Sequence, residues 1–212
     1  DNEDEGLKPR YLDRAALDTP SVALTNTMRE VLRMGDLLRT MLDRTFEALQ
    51  NGNSEQLPQI KRSDDLVDEF HEKINLYLTE LSRRELEEDY RRRCSRILSF
   101  TTNLEHVGDI VECSLTDLIS NIVQKNIKFT GPEMVEVERL HQCTKDNMEL
   151  AFSVLLSGNI ENARMLFEQK IEVKKIERTA VRNHQQRLRE QVIVSSEGSA
   201  MYLDLLRDLK RI

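Results

Sequence analysis

Two pairs of acids in this chain stand where a packing helix has no use for them. Asp64 and Asp68 lie four residues apart in "SDDLVDEF", and Glu105 and Asp109 lie four apart in "NLEHVGD". On a helix each pair sets two like charges on one face, a repulsion of about 0.2–0.5 kcal/mol. Gly108 sits inside the second pair, at a further cost of about 0.8–1.0 kcal/mol relative to alanine. Carboxylates gathered despite this suit a hard cation such as Mg, Mn, Ca or iron, which offsets their repulsion. The competing use is ion pairing, for which Lys61, Arg62 and Arg96 are available. His71 and Glu112 are additional ligand candidates on the same two helices, and His71 alone also reads as a hydrogen-bonded seam histidine.

The elements that must position these acids are helices. Ile60, Asp64, Val67, His71, Ile74, Leu78 and Leu81 repeat at the 4-3-4-3 spacing of a packed seam. Tyr90, Cys94, Ile97, Thr101, Leu104, Gly108, Val111, Leu115, Leu118 and Ile122 form another, with Glu105, Asp109 and Glu112 in a line beside it. A tight connection near Ser82–Arg84 makes these two helices antiparallel. The acidic pairs then lie at close but unequal levels, and an offset of a turn or two aligns them. Ahead of them a helix runs from about Val22 to Leu49, with Val31, Met34, Leu38, Met41, Thr45 and Leu49 on one face. The second spans about Gln59–Leu81, and the third runs from near Glu85 unbroken to about Lys125, roughly 60 Å. "TGPE" (130–133) stops and restarts the chain. Three more helices follow, at about Glu133–Leu156, Ile160–Val192 and from Ser195 onward, which reads as a duplicated three-helix unit.

Bulk properties fit an all-α protein: a third of the residues are charged, Trp is absent, and Gly and Pro are few. The net charge of −7 argues against nucleic acid as a partner. Cys94, Cys113 and Cys143 are odd in number and lack a CxxC spacing, so they read as reduced, buried thiols. No apolar run reaches the ~20 residues of a membrane span. Arg83, Arg84, Arg91, Arg92, Arg93 and Arg96 cluster among Glu85, Glu87, Glu88 and Asp89. That is a solvated hairpin tip laced with i,i+4 pairs, or, as a sharper reading, a surface for an anionic partner. A di-iron carboxylate enzyme is a further alternative, drawing on Asp68-x-x-His71 and Glu138-x-x-His141. A metal-free helical adaptor is another.

The pattern acidic-xxx-acidic on successive helices of a duplicated bundle resembles the PhoU family, and "NLEHVGDI" with its Gly-Asp ending is its most specific match. "PRYLDRAALDTP" followed by "REVLRMGDLL" looks like the junction after the membrane part of bacterial sodium/phosphate-cotransporter-related proteins. The resemblance implies two tandem three-helix bundles: residues 1–20 a linker from a membrane domain, 21–130 the first bundle, 131–212 the second, cut short. It implies a non-enzymatic cytoplasmic domain of an inner-membrane protein that regulates phosphate uptake or signalling. Asp64, Asp68, Glu105 and Asp109 become metal ligands, for iron or zinc by resemblance and Mg or Mn by ligand chemistry. The implied partners are the chain's own transmembrane transporter domain, a phosphate-signalling protein and, through self-association, a homo-oligomer. In the second copy "DLKRI" aligns with "NLEHV" and puts Lys210 opposite Glu105, so a single metal site is expected, in the first bundle.

Overall fold

The computed structural model describes residues 8–190 and 196–212. Described residues outside short connections are helical: α1 (Pro20–Asn51), α2 (Leu57–Ser82), α3 (Glu88–Asp109), a π-helical segment (Ile110–Thr116), α4 (Asp117–Gln124), α5 (Gly131–Ser157), α6 (Ile160–Arg189) and α7 (Ser196–Arg211). The expected ends at Val192 and Ser195, and residues 1–7 of the expected linker, lie outside the described residues. Packing divides the chain into two compact units. One holds the described residues up to Asp43 together with Pro58–Asp109; the other holds Arg44–Leu57 and Ile110–Ile212.

The first unit buries the seams. Val31, Met34, Leu38 and Met41 of α1 are buried, as are Ile60, Val67, Ile74, Leu78 and Leu81 of α2 and Cys94, Ile97, Thr101, Leu104 and Gly108 of α3. Asp64 and His71, the two polar members of the α2 seam, are half-buried. The segment ahead of α1 folds against the same unit. Asp13 caps a 3-10 turn at Arg14–Asp18, Leu17 is buried, and the Tyr77 hydroxyl donates to the Asp13 carbonyl at 2.8 Å. Fully buried Glu30 accepts the backbone N–H of Arg10 at 2.6 Å and that of Tyr11, and pairs with Arg33 at 2.7 Å.

The third helix is not α-helical throughout. Residues 88–124 are helical without a break, but Ile110–Thr116 make π-type hydrogen bonds. The Thr116 hydroxyl donates to the Val111 carbonyl, five residues back, at 2.8 Å. Beyond this segment Ile119 is buried in place of the expected Leu118, while Ile122 is buried as the period placed it. The cysteines form no disulfide, and only Cys94 is buried; Cys113 is exposed and Cys143 half-buried. Burial pushes the Cys94 thiol pKa up.

In the second unit Thr130 closes a capping box with Glu133 at the start of α5, and Gly158 ends α5 in the left-handed conformation at φ +62°. Asn159 then caps α6 through the Glu161 and Asn162 N–H groups. Val137 and Leu140 of α5, Val173, Ile176 and Ala180 of α6, and Tyr202, Leu205, Leu206 and Leu209 of α7 make its core. That core is crossed by polar groups. His184, fully buried, lies 2.8 Å from Glu133 Oε1 through Nδ1 and 2.6 Å from Ser199 Oγ through Nε2. Glu136 receives Arg187, Asn183 and Tyr202.

Candidate metal centre

The site begins at Gly108. A Cβ built on this buried glycine would lie 2.6 Å from Asp64 Oδ1, 3.3 Å from Val67 Cγ1 and 3.4 Å from Leu38 Cδ2. Three helices therefore meet at one missing side chain, and the Asp64 carboxylate occupies the place where the side chain would be. Glycine at this point supplies close approach, which is what offsets its poor helix propensity. One turn along α2, Asp68 is exposed and faces Asp109 closely enough to feel its charge. Its pKa is raised from the ordinary 3.8, first by partial burial, then by repulsion from Asp109 and Asp65, with His71 acting in the opposite direction.

The antiparallel register thus brings Asp64 against Gly108 and Asp68 within electrostatic reach of Asp109 across α2 and α3. The remaining candidates are placed less favourably. Glu105 is half-buried on the same face, with Oε2 3.5 Å from its neighbour His106. His71 Nε2 lies 2.8 Å from the Asn75 amide nitrogen and 3.4 Å from Thr102 Oγ1, which is the seam-histidine arrangement. Glu112 falls in the π-helical segment, where its Oε2 accepts the Cys113 thiol at 2.7 Å. Among the described residues, no three His, Cys, Asp or Glu side chains converge in a metal-holding group. The fit to a cation accordingly rests on two observations: the shielded Asp64 Oδ1 in the Gly108 cradle and the like-charge approach of Asp68 and Asp109. Both acids of the second pair and both of the first remain candidates.

The equivalent slot of the second unit is filled differently. Lys210, which aligns with Glu105, donates to Glu177 Oε1 of α6 at 2.7 Å. There the protein supplies a cation from its own side chain. The alternative di-iron constellation is not assembled: Glu138 is exposed, and His141 is buried in a parallel stack on Phe46 with ring centroids 4.1 Å apart. The arginine cluster lies at the solvated start of α3. Arg84 pairs with Asp18, Arg92 reaches Glu88 at 4.0 Å, and Arg92 and Arg96 line a surface cleft with Asp89 and Ser95.

The repulsion at Asp68 has a measurable sign. A carboxyl whose folded pKa is raised contributes stability below its unfolded pKa and loses it as pH rises through the folded value. Asp68 is exposed, so solvent screening leaves only a few tenths of a kcal/mol. Metal-free Asp68→Asn protein is expected to melt about 1 °C above wild type at pH 7 and together with it at pH 3. Thermal melts across that range check this, and a wild-type advantage at pH 7 in chelator would contradict the Asp68–Asp109 repulsion.

Two elements of the site had no sequence signal: the π-helical segment beginning directly after Asp109, and the rotation of Glu105 toward His106. Comparison with known proteins follows the same geometry. The family model described as "PhoU domain" matches residues 31–112, which contain both acidic pairs and Gly108. The chain is 32% identical over 209 residues to the "Putative inorganic phosphate export protein YjbB" of Escherichia coli K12 and 34% identical to its namesake in Salmonella typhimurium. These matches cover 99% of this chain and 38% of each relative's length. A crystal structure of PhoU from Pseudomonas aeruginosa superposes with a TM-score of 0.79 at 17% identity, over 89% of this chain and 88% of that one. Residues 31–112 thus form a PhoU domain, and the PhoU fold extends along nearly all of the chain.

Proposed function

We propose that the chain is a non-catalytic regulatory unit of a sodium-coupled phosphate transporter, held at the cytoplasmic side of the membrane, that adjusts phosphate flux. The observation that carries the reading is the α2–α3 contact, where Asp64 seats on Gly108 and Asp68 repels Asp109. A surface with unbalanced charge at a close helix contact changes its stability when a cation arrives, and that is a usable signal. Asp64, Asp68, Glu105 and Asp109 would hold the ion, of which iron and zinc are the family's choices and Mg or Mn suit oxygen ligands. A bound cation supplies the positive charge that these acids lack. The first unit alone responds, because Lys210–Glu177 already balances the second.

The relatives named for phosphate export share this chain over 38% of their length. On this reading the transmembrane transporter domain lies in the remainder of such a protein, and the flux regulated includes the outward direction as well as uptake or signalling. Described helices are not long and apolar enough to cross a membrane, so the contact with the transporter is made from outside the bilayer.

Elemental analysis of purified wild-type and Glu105→Gln/Asp109→Asn protein tests the site. Near-stoichiometric metal in the first and at least a tenfold drop in the second are expected; equal metal content would remove these residues as ligands. Metal-free wild-type protein with unchanged regulation would favour the adaptor reading. Phosphate flux in both directions, measured with full-length protein and with protein lacking this unit, tests the role. Identical fluxes would end it.

A further inference from the structure

Glu133, His184 and Ser199 come from α5, α6 and α7 and form one hydrogen-bonded chain in the second unit. Glu133 Oε1 lies 2.8 Å from His184 Nδ1, and His184 Nε2 lies 2.6 Å from Ser199 Oγ. The carboxylate is fixed from behind, its Oε2 accepting the Thr130 N–H at 2.8 Å and the Thr130 hydroxyl at 3.0 Å. The imidazole is fully buried, with the Tyr202 ring tilted over it at 4.8 Å between centroids. An ionised Glu133 draws the imidazole proton to Nδ1, which leaves the Nε2 lone pair facing the Ser199 hydroxyl. Only that hydroxyl end approaches solvent. Ser199 is half-buried in the first turn of α7, where Glu197 and Ala200 are exposed. Several other hydroxyls are spent differently: those of Thr27, Ser82, Thr144 and Thr179 donate to the carbonyl four residues back. Thr102 also reaches a histidine, His71, but at 3.4 Å and on a nitrogen shared with Asn75.

We propose that Ser199 is an acylation site: a nucleophile, activated by the Glu133–His184 pair, that takes an acyl group from a small uncharged activated ester. A nucleophile touches a base, and the base is oriented by a third group, which is the arrangement such a transfer needs. As Ser199 Oγ bonds to the acyl carbon, its proton passes to His184 Nε2. The ester C–O bond breaks with its electron pair on the leaving oxygen, and His184 returns the proton to that oxygen. The products are acyl-serine and an alcohol. Glu133 stays ionised throughout and holds the imidazolium, so it is a positioning residue. The first turn of α7 is the positive end of that helix, which favours the oxyanion formed on the way. Cations near the site are already engaged, Arg187 by Glu136 and Lys125 by Glu197, so an uncharged donor suits it better than an anionic phosphoryl donor. Acylation also has a structural consequence. The ester oxygen has no proton to donate, so His184 Nε2 loses its hydroxyl and this tie between α6 and the start of α7 is broken.

Incubation of the 212-residue chain with p-nitrophenyl acetate tests this. Wild type is expected to release a burst of one p-nitrophenolate per chain and to carry one acetyl group, located on Ser199 by mass spectrometry of tryptic peptides. The acetylated protein should show a lower urea midpoint for α6 and α7 probes. Ser199→Ala, at a half-buried position, should keep the circular dichroism of wild type and lose the burst. Glu133→Gln keeps an acceptor for the Nδ1 proton but removes the charge that holds the imidazolium, and should slow acetylation of Ser199 about a hundredfold. A chain of hydrogen bonds with a purely structural role would leave that rate unchanged, and an unchanged rate would overturn the proposal. Wild type acetylated on lysines alone, or on Ser199 no faster than on Thr102, would overturn it as well. That comparison is made within the wild-type protein, so it decides the proposal even where a variant fails to fold.

Discussion

Gly108→Leu is expected to destabilise the first unit by about 3 kcal/mol, the upper end of what overpacking a core costs. The Cβ alone would meet Asp64 Oδ1 at 2.6 Å, and Val67 and Leu38 close behind it. Any larger side chain must displace the side chains of Asp64, Val67 and Leu38. Gly108→Ala is the diagnostic variant, because two effects oppose each other. Alanine gains about 0.8–1.0 kcal/mol of helix propensity, while its methyl displaces the Asp64 carboxylate and presses on Val67 and Leu38. In wild type the clash wins, and we expect a net loss of about 1 kcal/mol. In an Asp64→Ala background the nearest obstacle is gone, and the same substitution should be neutral or stabilising. A coupling of about 1 kcal/mol or more in this double-mutant cycle, read from urea unfolding of α2–α3 probes, is the expected result. Additive effects would show that Asp64 does not occupy the glycine's side-chain space. If the cradle holds a cation, Gly108→Leu also lowers metal content, since it displaces one proposed ligand without altering any carboxylate.

How far this contact was legible depends on what kind of signal each residue leaves. The seams of α1, α2 and α3 follow a period, and every apolar member named on α1 and α2 is buried. Gly108 beside an acid-xxx-acid pair announced a close approach, but the register that puts Asp64 on it depends on the whole hairpin. A residue count from the turn sets it only to within a turn or two. The π-helical segment left no periodic mark: it replaces one hydrogen-bond ladder with another, and its Thr116–Val111 bond uses a residue type common in any helix. The turn-rich residues 8–19 before α1 lack an α-helical period because they form only a short 3-10 turn, yet Glu30 and Tyr77 hold them through backbone groups that carry no residue identity. The least legible feature is the polar core of the second unit. Glu133 signals only a helix start, while its partner His184 is 51 residues away and Tyr202 is 66 from Glu136. No local spacing connects them.

That polar core carries the second large effect. Glu136→Ala is expected to destabilise the second unit by about 3 kcal/mol, because it leaves a largely buried guanidinium with only Glu133 at 4.0 Å, and a buried phenol unpaired. Arg187 Nη2 reaches Glu136 Oε2 at 2.7 Å, Asn183 donates to Oε1 at 2.8 Å, and the Tyr202 hydroxyl donates to Oε2 at 2.5 Å. Burial alone would raise the Glu136 pKa, but the hydrogen bonds from Arg187, Tyr202 and Asn183 outweigh it and hold the carboxyl below the ordinary 4.5. Tyr202 moves the other way: burial first, then the Glu136 carboxylate, push its phenol far above the ordinary 10. The signs give two edges. A lowered carboxyl contributes stability above its unfolded pKa and loses it as pH falls below 4.5. A raised phenol contributes stability below its unfolded pKa and loses it as pH rises past 10. Tyr202→Phe should therefore cost about 1 kcal/mol at neutral pH and flatten the alkaline edge, while Glu136→Gln should flatten the acid one. Urea midpoints of α6 and α7 probes from pH 3 to 11 distinguish this from generic charge repulsion, which would leave both edges in place in both variants. The two units also separate cleanly in this experiment. As pH rises above 3.8 the Asp68–Asp109 contact loses stability, whereas Glu136 gains it up to its unfolded value near 4.5, so the two units respond to pH with opposite signs and the first is the one expected to answer to a cation.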